Sequence, residues 1–384
     1  MKKATLLILA IFLLGIGFFA GNTLSDNQQK NTPIKRDTII IPIPSDTAIN
    51  SKKTDSTKEV LPVILPLTTW KSCAGCVREK ILDYITAITS DKKSNDYVKP
   101  EDRIATFDMD GTFLTEKPFS MDFLVTKYQI DSVLKDPVLS IKINKIIKDY
   151  PTGNFDEKTY ARLDILKKKA FGGVSEDSIA ETAYKFMKTG AYDTVKFPGI
   201  KNGELFYAPM LELFQYLQEH HFKIFVVSGS DRSILWGCIK ALKEFYPSYK
   251  FHLDRIQLIG SDWNLKATKM KSKNSEYVFQ MEDEVVRDTS MLATSIKMQK
   301  VVNIYRQIGK YPVFSGGNTD GDFSMLNMAI RDTTKKRMSI IIWHDDDARE
   351  YSYYYEHPDW ADTIAKYKWT KVSMKNEFNS IYIK

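Results

Sequence analysis

Asp108 and Asp110 stand at the end of an apolar run, Ile104-Ala105-Thr106-Phe107, in the stretch Asp108-Met109-Asp110-Gly111-Thr112. If the run is a β-strand, side chains two residues apart share a face, so both carboxylates look into one cleft. That spacing suits phosphoryl chemistry, in which one carboxylate attacks while the other moves protons. Gly111 lets the chain turn sharply after the strand, because it tolerates backbone angles closed to other residues. Thr112 supplies a hydroxyl to orient the neighbouring carboxylate. An ordinary Asp-Gly turn reads the same in isolation, so the chemistry depends on what the rest of the chain brings to that turn.

Three further segments follow in order. Ile224-Phe225-Val226-Val227-Ser228-Gly229 is an apolar strand ending in a hydroxyl and a glycine, and a hydroxyl with free backbone N–H groups at a strand end binds phosphate oxygens. Next comes a lysine, for which Lys297 and Lys300 compete. Lys300-Val301-Val302-Asn303-Ile304 opens a helical pattern that leads into Pro312-Val313-Phe314. Last is Ser315-Gly316-Gly317-Asn318-Thr319-Asp320-Gly321-Asp322. Oxygen ligands on a Gly-rich loop suit a hard Mg²⁺ ion, with waters completing its octahedron.

Taken together, the four segments resemble the haloacid dehalogenase (HAD) superfamily of phosphohydrolases. A closer resemblance runs from Trp70 onward. It is carried by Tyr97-Val98-Lys99-Pro100-Glu101-Asp102-Arg103-Ile104-Ala105, Tyr207-Ala208-Pro209-Met210-Leu211-Glu212-Leu213, Ile259-Gly260-Ser261 and His344-Asp345-Asp346-Asp347-Ala348-Arg349-Glu350-Tyr351. These look like stretches of an exported, phosphoserine-phosphatase-like bacterial subgroup that includes phosphorylcholine phosphatases. The resemblance implies an α/β fold: a Rossmann-like, mostly parallel sheet with a helical cap inserted after the first strand. It implies Asp108 as nucleophile, Asp110 as acid and base, and Ser228 and Lys300 as stabilisers of the transferring charge. Thr112 and Gly229 would meet the substrate. Mg²⁺ would be held by Asp108, a backbone carbonyl of Asp110 and the loop carrying Asn318 and Asp322. Asn318 stands where the superfamily often has an acidic residue, and Asp322 would hold Lys300 or a metal-bound water. Which of Asn318, Asp320 and Asp322 touches the ion stays open. The subgroup's first motif usually continues Gly-Thr-Leu-Trp-Glu, whereas this chain reads Gly111-Thr112-Phe113-Leu114-Thr115-Glu116; the departure touches the flap and hence the substrate.

The implied activity is Mg²⁺-dependent hydrolysis of a small extracytoplasmic phosphomonoester through an aspartyl-phosphate, phosphocholine and phosphoserine being specific alternatives. Asp110 argues against dehalogenases and P-type ATPases, which lack a carboxylate there, but phosphomutases share it. A membrane-tethered binding module that keeps the fold without the catalysis is the alternative from another class.

Several elements must position these residues. A helix carrying Val77, Ile81, Tyr84, Ile85 and Ile88 precedes the strand into Asp108. Strands are predicted over 223–227, 256–259, 312–314 and 338–343, separated by helical stretches, which implies a mostly parallel sheet covered on both faces. In such sheets ligands bind beyond the carboxyl ends of the strands. His344, after the last strand, would line the rim or hold structure near Asp345 and Arg349. The core is predicted over 67–116 and 205–384, and the cap over 117–204, with helices at Val133 to Ile147 and Asp156 to Phe171. A cap excludes water and reads the leaving group. Its aromatics Phe119, Tyr160, Phe171, Tyr184, Phe186 and Tyr192 are either cap core or a cage for a quaternary ammonium. The tyrosines Tyr351, Tyr353, Tyr354 and Tyr355 pose the same choice.

At 384 residues and 43% hydrophobic, the chain can bury a core. Its charge of +7, from 55 basic and 48 acidic residues, is dispersed and lacks the clustered basic stripe of a nucleic-acid binder. Lys2 and Lys3 precede an uncharged apolar run from Ala4 to Ala20, which reads as an export signal and makes the body periplasmic or membrane-anchored outside the cytoplasm. The run is slightly short of the roughly 20 residues a spanning helix needs. Residues 1–21 are therefore a signal peptide or anchor, and 22–66, rich in Asn, Thr, Ser, Asp and Lys, a disordered tether. Cys73-Ala74-Gly75-Cys76 lacks the second ligand pair of a zinc site, and in an exported protein a local disulfide is expected. Cys238 lies in an apolar pattern and is expected to be buried.

Overall fold

The computed structural model describes residues 67–193, 195–268, 278–353 and 359–382, all within the unit Val63–Lys384. The predicted leader and tether lie outside the described residues. Among the described residues, seven strands form one sheet in the order β4-β3-β2-β1-β5-β6-β7. They are β1 (Ile104–Phe107), β2 (Lys223–Asp231), β3 (Leu258–Ala267), β4 (Val285–Ala293), β5 (Phe314–Gly317), β6 (Met338–Trp343) and β7 (Thr370–Ser373). Every neighbouring pair is parallel except β3 with β4. All four residues of β1 are buried, as a central parallel strand with helices on both faces requires. The sheet is the α/β arrangement expected.

Among the described residues, eleven helices accompany it: α1 (Val77–Thr89), α2 (Met121–Tyr128), α3 (Pro137–Asp149), α4 (Glu157–Phe171), α5 (Glu176–Met187), α6 (Ala208–Glu219), α7 (Arg232–Phe245), α8 (Met298–Ile308), α9 (Phe323–Ala329), α10 (Trp360–Tyr367) and α11 (Met374–Glu377). The buried stripe of α1 is the predicted set, Val77, Ile81, Tyr84, Ile85 and Ile88. From β1 the chain moves outward to β2 and β3, then returns past β1 to lay down β5, β6 and β7. Strand order therefore reverses at β1, and ligand crevices in open α/β sheets form at such reversals. Phe107 pairs with Val226 on one side and Gly316 on the other, so Asp108, Ser228 and Gly317 emerge at one edge.

Helices α2 to α5 lie between β1 and β2, and the two ends of this stretch are tied together. Thr115 N donates to Leu205 O at 3.1 Å and Tyr207 N to Phe113 O at 2.9 Å. The helix predicted over 133–147 instead begins at Pro137, after a separate π-helical turn at Gln129–Leu134. The cause is local: Asp136 accepts from the amides of Val138 and Leu139 at 2.8 and 3.0 Å, and proline at the first helical position completes a start signal. Likewise Asp156 is the cap of α4, accepting from Thr159 N at 2.7 Å, rather than its first residue.

Four strand readings need correction. The strand expected over 312–314 is β5, Phe314–Gly317, so Ser315 to Gly317 belong to the sheet. The segment 256–259 is a 3₁₀ turn, Arg255–Gln257, followed by the longer β3. β4 and β7 were not foreseen. β4 is half exposed and owes its extended form to antiparallel pairing with β3 and to residues 173–175, where Gly173 N donates to Arg287 O at 2.9 Å. Such long-range partners leave little periodicity to read.

Cys73 and Cys76 form the expected disulfide, and Cys238 is buried. Among the described residues no helix is long and apolar enough to cross a membrane.

Glu350 gives stability a pH dependence. It is 1% exposed, accepts from Thr115 Oγ1 at 3.0 Å and from the Tyr382 hydroxyl, and burial pushes its carboxyl up to about 8. Because the folded state holds this proton more tightly than the unfolded chain, the associated stability is complete below the ordinary carboxylate range and is lost as pH rises towards 8. Glu350→Gln should remove that slope, so urea midpoints of variant and wild type should coincide near pH 4 to 5 and favour the variant at pH 8. Parallel curves for the two proteins would contradict this account.

Candidate active site

At the edge where β1, β2 and β5 end, Lys300 from α8 reaches back over the sheet. Its Nζ lies 2.9 Å from Asp108 Oδ1 and 2.6 Å from Asp322 Oδ1, and donates to Val227 O at 2.8 Å. The ammonium is 3% exposed. Burial works against its charge, yet Asp108 and Asp322 together hold its proton more tightly than usual. Burial and the neighbouring Asp322 push the Asp108 carboxyl up, against the pull of Lys300. This geometry separates the two competing lysines: Lys297 precedes α8 with φ 48°, and its amide donates to Gly321 O at 3.1 Å.

Asp110 is fixed by both oxygens. Oδ1 accepts from the amide of Met121, the first residue of α2, at 2.9 Å, and Oδ2 from Ser230 Oγ at 2.7 Å. A helix N-terminus has amides without intrahelical partners, so α2 serves the carboxylate at no cost to its own bonding. Burial, opposed by these two hydrogen bonds, brings Asp110 up to about 7.

Asp322 sits in a 3₁₀ turn, Asp320–Asp322, and its Oδ2 accepts from the amides of Asn318 and Thr319 at 3.0 and 3.1 Å. With Oδ1 on Lys300, both oxygens are committed to protein donors. A side chain at 317 would put its Cβ 2.5 Å from Asp322 Cβ, so the loop needs glycine there. Asp320 is exposed.

Two expectations shift in detail, those for Thr112 and His344. Thr112 is fully buried and donates to Asn318 Oδ1 at 3.2 Å, so it orients the loop amide rather than a carboxylate. Ser228, 1% exposed, accepts from Ser230 N at 3.2 Å, while Ser230 is the hydroxyl on Asp110. Gly229 is exposed between these two serines in β2. His344 does not line a rim. It is 2% exposed, lies 2.7 Å from Gly111 O through Nε2 and stacks on Tyr353 with ring centroids 4.2 Å apart; burial lowers its pKa to about 3, so the neutral ring braces the Gly111 turn.

The six cap aromatics do not form a cage. Phe119 meets Tyr192 at 5.6 Å, but Phe171 lies under Arg287, Tyr184 under Lys188 and Lys240, and Phe186 beside Tyr128. Tyr160 packs on Phe155. The cavity beside Phe119, Met121, Tyr192 and Phe197 measures about 20 Å³, room for about one water. Tyr354 and Tyr355 lie outside the described residues.

Sequence reasoning missed Glu116 and Ser230, and read Tyr353 only as core or cage. Ser230 was within reach, since it stands two residues after Ser228 at the end of an extended run. Glu116 and Tyr353 carried no local signal. Asn318 Nδ2 donates to Glu116 Oε2 at 2.9 Å and to the Tyr353 hydroxyl at 3.0 Å, and that hydroxyl donates to Glu116 Oε2 at 3.0 Å.

Among the described residues no three His, Cys, Asp or Glu side chains gather as a metal-ligand cluster. The donors at this edge nonetheless suit a hard divalent cation. They are all oxygen, and the buried carboxylates of Asp108 and Asp322 share one buried ammonium, that of Lys300.

No protein-family model and no curated protein matches the chain. Among solved structures, it is similar to a conserved protein of unknown function from Anaerococcus prevotii DSM 20548, at 15% identity over 79% of this chain and 94% of that one, TM-score 0.44. It is similar to cytosolic 5'-nucleotidase IIIB bound to cytidine, at 11% identity over 77% and 83%, TM-score 0.40. A phosphoserine phosphohydrolase-like protein from Francisella tularensis subsp. tularensis SCHU S4 aligns at 14% identity over 64% and 89%, TM-score 0.30. Likeness at this level assigns neither activity nor substrate, and the functional reading rests on the site itself.

Proposed function

We propose that the protein is a Mg²⁺-dependent phosphomonoester hydrolase acting through an aspartyl-phosphate. The observation that carries this is the convergence of Asp108, Asp322 and Lys300 within ion-pair distance at the carboxyl end of the central strand, with Asp110 braced beside them. In the first step Asp108 attacks phosphorus, its bond to phosphorus forming as the bond to the leaving alkoxide breaks. Asp110 gives that alkoxide its proton. Asp110 then removes a proton from the attacking water, the acyl-phosphate bond breaks, and inorganic phosphate leaves with Asp108 regenerated. Lys300 stabilises the charge on the transferring oxygens. Asp108, the Asp110 carbonyl and the Asn318 amide oxygen would hold Mg²⁺, with Asp322 keeping Lys300 in place. When bound, the ion offsets repulsion between carboxylate and phosphate. The helices between 117 and 204 act as the cap, and the reaction runs outside the cytoplasm, a reading supported by the N-terminal apolar run of the sequence.

Purified protein should release inorganic phosphate from p-nitrophenyl phosphate and from a panel of alkyl phosphomonoesters, lose this on EDTA treatment and regain it with Mg²⁺. No release from any ester favours the non-catalytic binding module; phosphoryl transfer between sugars without release favours a mutase.

A further inference from the structure

Three groups from distant parts of the chain meet over one glycine. A Cβ at Gly111 would lie 2.0 Å from Asn318 Nδ2, 2.6 Å from the Tyr353 hydroxyl and 2.7 Å from Glu116 Oε2. Gly111, with φ +71°, is therefore the floor on which Asn318, Tyr353 and Glu116 pack, and only a missing side chain leaves room for them. The hydrogen bonds among the three have a fixed sense. Glu116 Oε2 accepts from both of its neighbours, so the NH₂ side of the Asn318 amide faces it. Tyr353 accepts from the same NH₂ and donates onward to Glu116. Thr112 donates to the opposite, carbonyl side. An amide alone can present either end to a cation site, and only the oxygen can ligate.

We propose that Glu116 and Tyr353 are positioning residues that lock the Asn318 amide, holding its NH₂ on the Gly111 turn so that Oδ1 is the end offered to Mg²⁺. The proposal rests on the metal-dependent reading above and gives Glu116 a role that is neither ligand nor acid. Groups that orient a ligand in this way commonly carry about 10- to 100-fold in metal affinity.

The test is Mg²⁺ binding by isothermal titration calorimetry, with thermal unfolding in EDTA as the check on folding. Glu116→Ala should weaken Mg²⁺ binding by about tenfold or more, and Tyr353→Phe by a smaller factor. Glu116→Gln should stay within about threefold of wild type, because its carbonyl can still accept from the Asn318 NH₂. In an Asn318→Ala background, Glu116→Ala should have no further effect, as a double-mutant cycle requires of a residue acting through another. The proposal is overturned if Gln weakens binding as much as Ala, which would make Glu116 act by its charge. It also fails if Glu116→Ala weakens binding equally with and without Asn318, or if only the unfolding temperature moves. Wild-type protein that neither binds Mg²⁺ nor hydrolyses esters overturns the phosphatase reading and the lock together. Wild-type protein that does both, with Glu116 silent, overturns the lock alone.

Discussion

Asp108→Asn should abolish turnover, by about four orders of magnitude or more in kcat, equivalent to about 5 kcal/mol in the barrier. The amide is a poor nucleophile, and no other carboxylate at the edge is free to replace it: Asp110 is held by Met121 N and Ser230 Oγ, and Asp322 by Lys300 and two loop amides. The same change should not unfold the protein. Asp108 and Asp322 both press on Lys300 in a buried site, and deleting one buried carboxylate still leaves the ammonium paired, so the melting temperature in EDTA should stay or rise. This combination, activity gone and stability kept, separates a nucleophile from a structural acid; it is the usual trade-off at sites arranged for function. Phosphate release and thermal melting together provide the check, with mass spectrometry of acid-quenched wild type expected to find the phosphoryl group on Asp108. Residual turnover above about 1% of wild type in the variant would end the nucleophile assignment, since removing the attacking group forfeits the whole covalent route.

Arg287→Ala should cost about 3–5 kcal/mol of folding stability, the usual range for stripping one partner from a buried ion pair. Arg287 is 2% exposed. Its Nη1 lies 2.6 Å from Asp231 Oδ2, Nη2 donates to Asp231 Oδ1 at 2.9 Å, and Nε donates to Glu176 Oε1 at 3.0 Å. Its guanidinium lies over the rings of Phe171 and Trp263, 5.7 and 5.4 Å from their centroids. One side chain on β4 thus ties together α4, α5, β3 and the end of β2. Asp231, 4% exposed, also caps α7 by accepting from Ser233 N at 2.9 Å, so stranding its charge should weaken that helix start as well. Urea denaturation should show the loss, and adding Asp231→Asn to the Arg287 variant should recover part of it by removing the unpaired carboxylate. A loss below about 1 kcal/mol would mean that water repairs the site and that the hub carries little.

Local spacing made the chemistry of β1, β2 and β5 legible. Residues 108 and 110 follow directly on the apolar run that forms β1, a glycine-rich stretch with oxygen side chains after Phe314 marks itself, and the stripe of α1 follows a 3.6-residue period. These are properties of a few consecutive residues, and a sequence displays them directly. The parallel sheet was legible for the same reason, as short apolar runs separated by helical stretches. Local pattern alone thus displays the candidate groups of the site and the architecture that carries them. The tertiary structure decided which partners hold those groups. Glu116 meets Asn318 across 202 residues and Ser230 meets Asp110 across 120; the β4 hairpin and Arg287 take their form from β3 and from the turn at 173–175. A carboxylate, a tyrosine or an arginine has no periodicity of its own. Its role is set by which distant group desolvates and pairs with it, and that is settled only when the chain has closed.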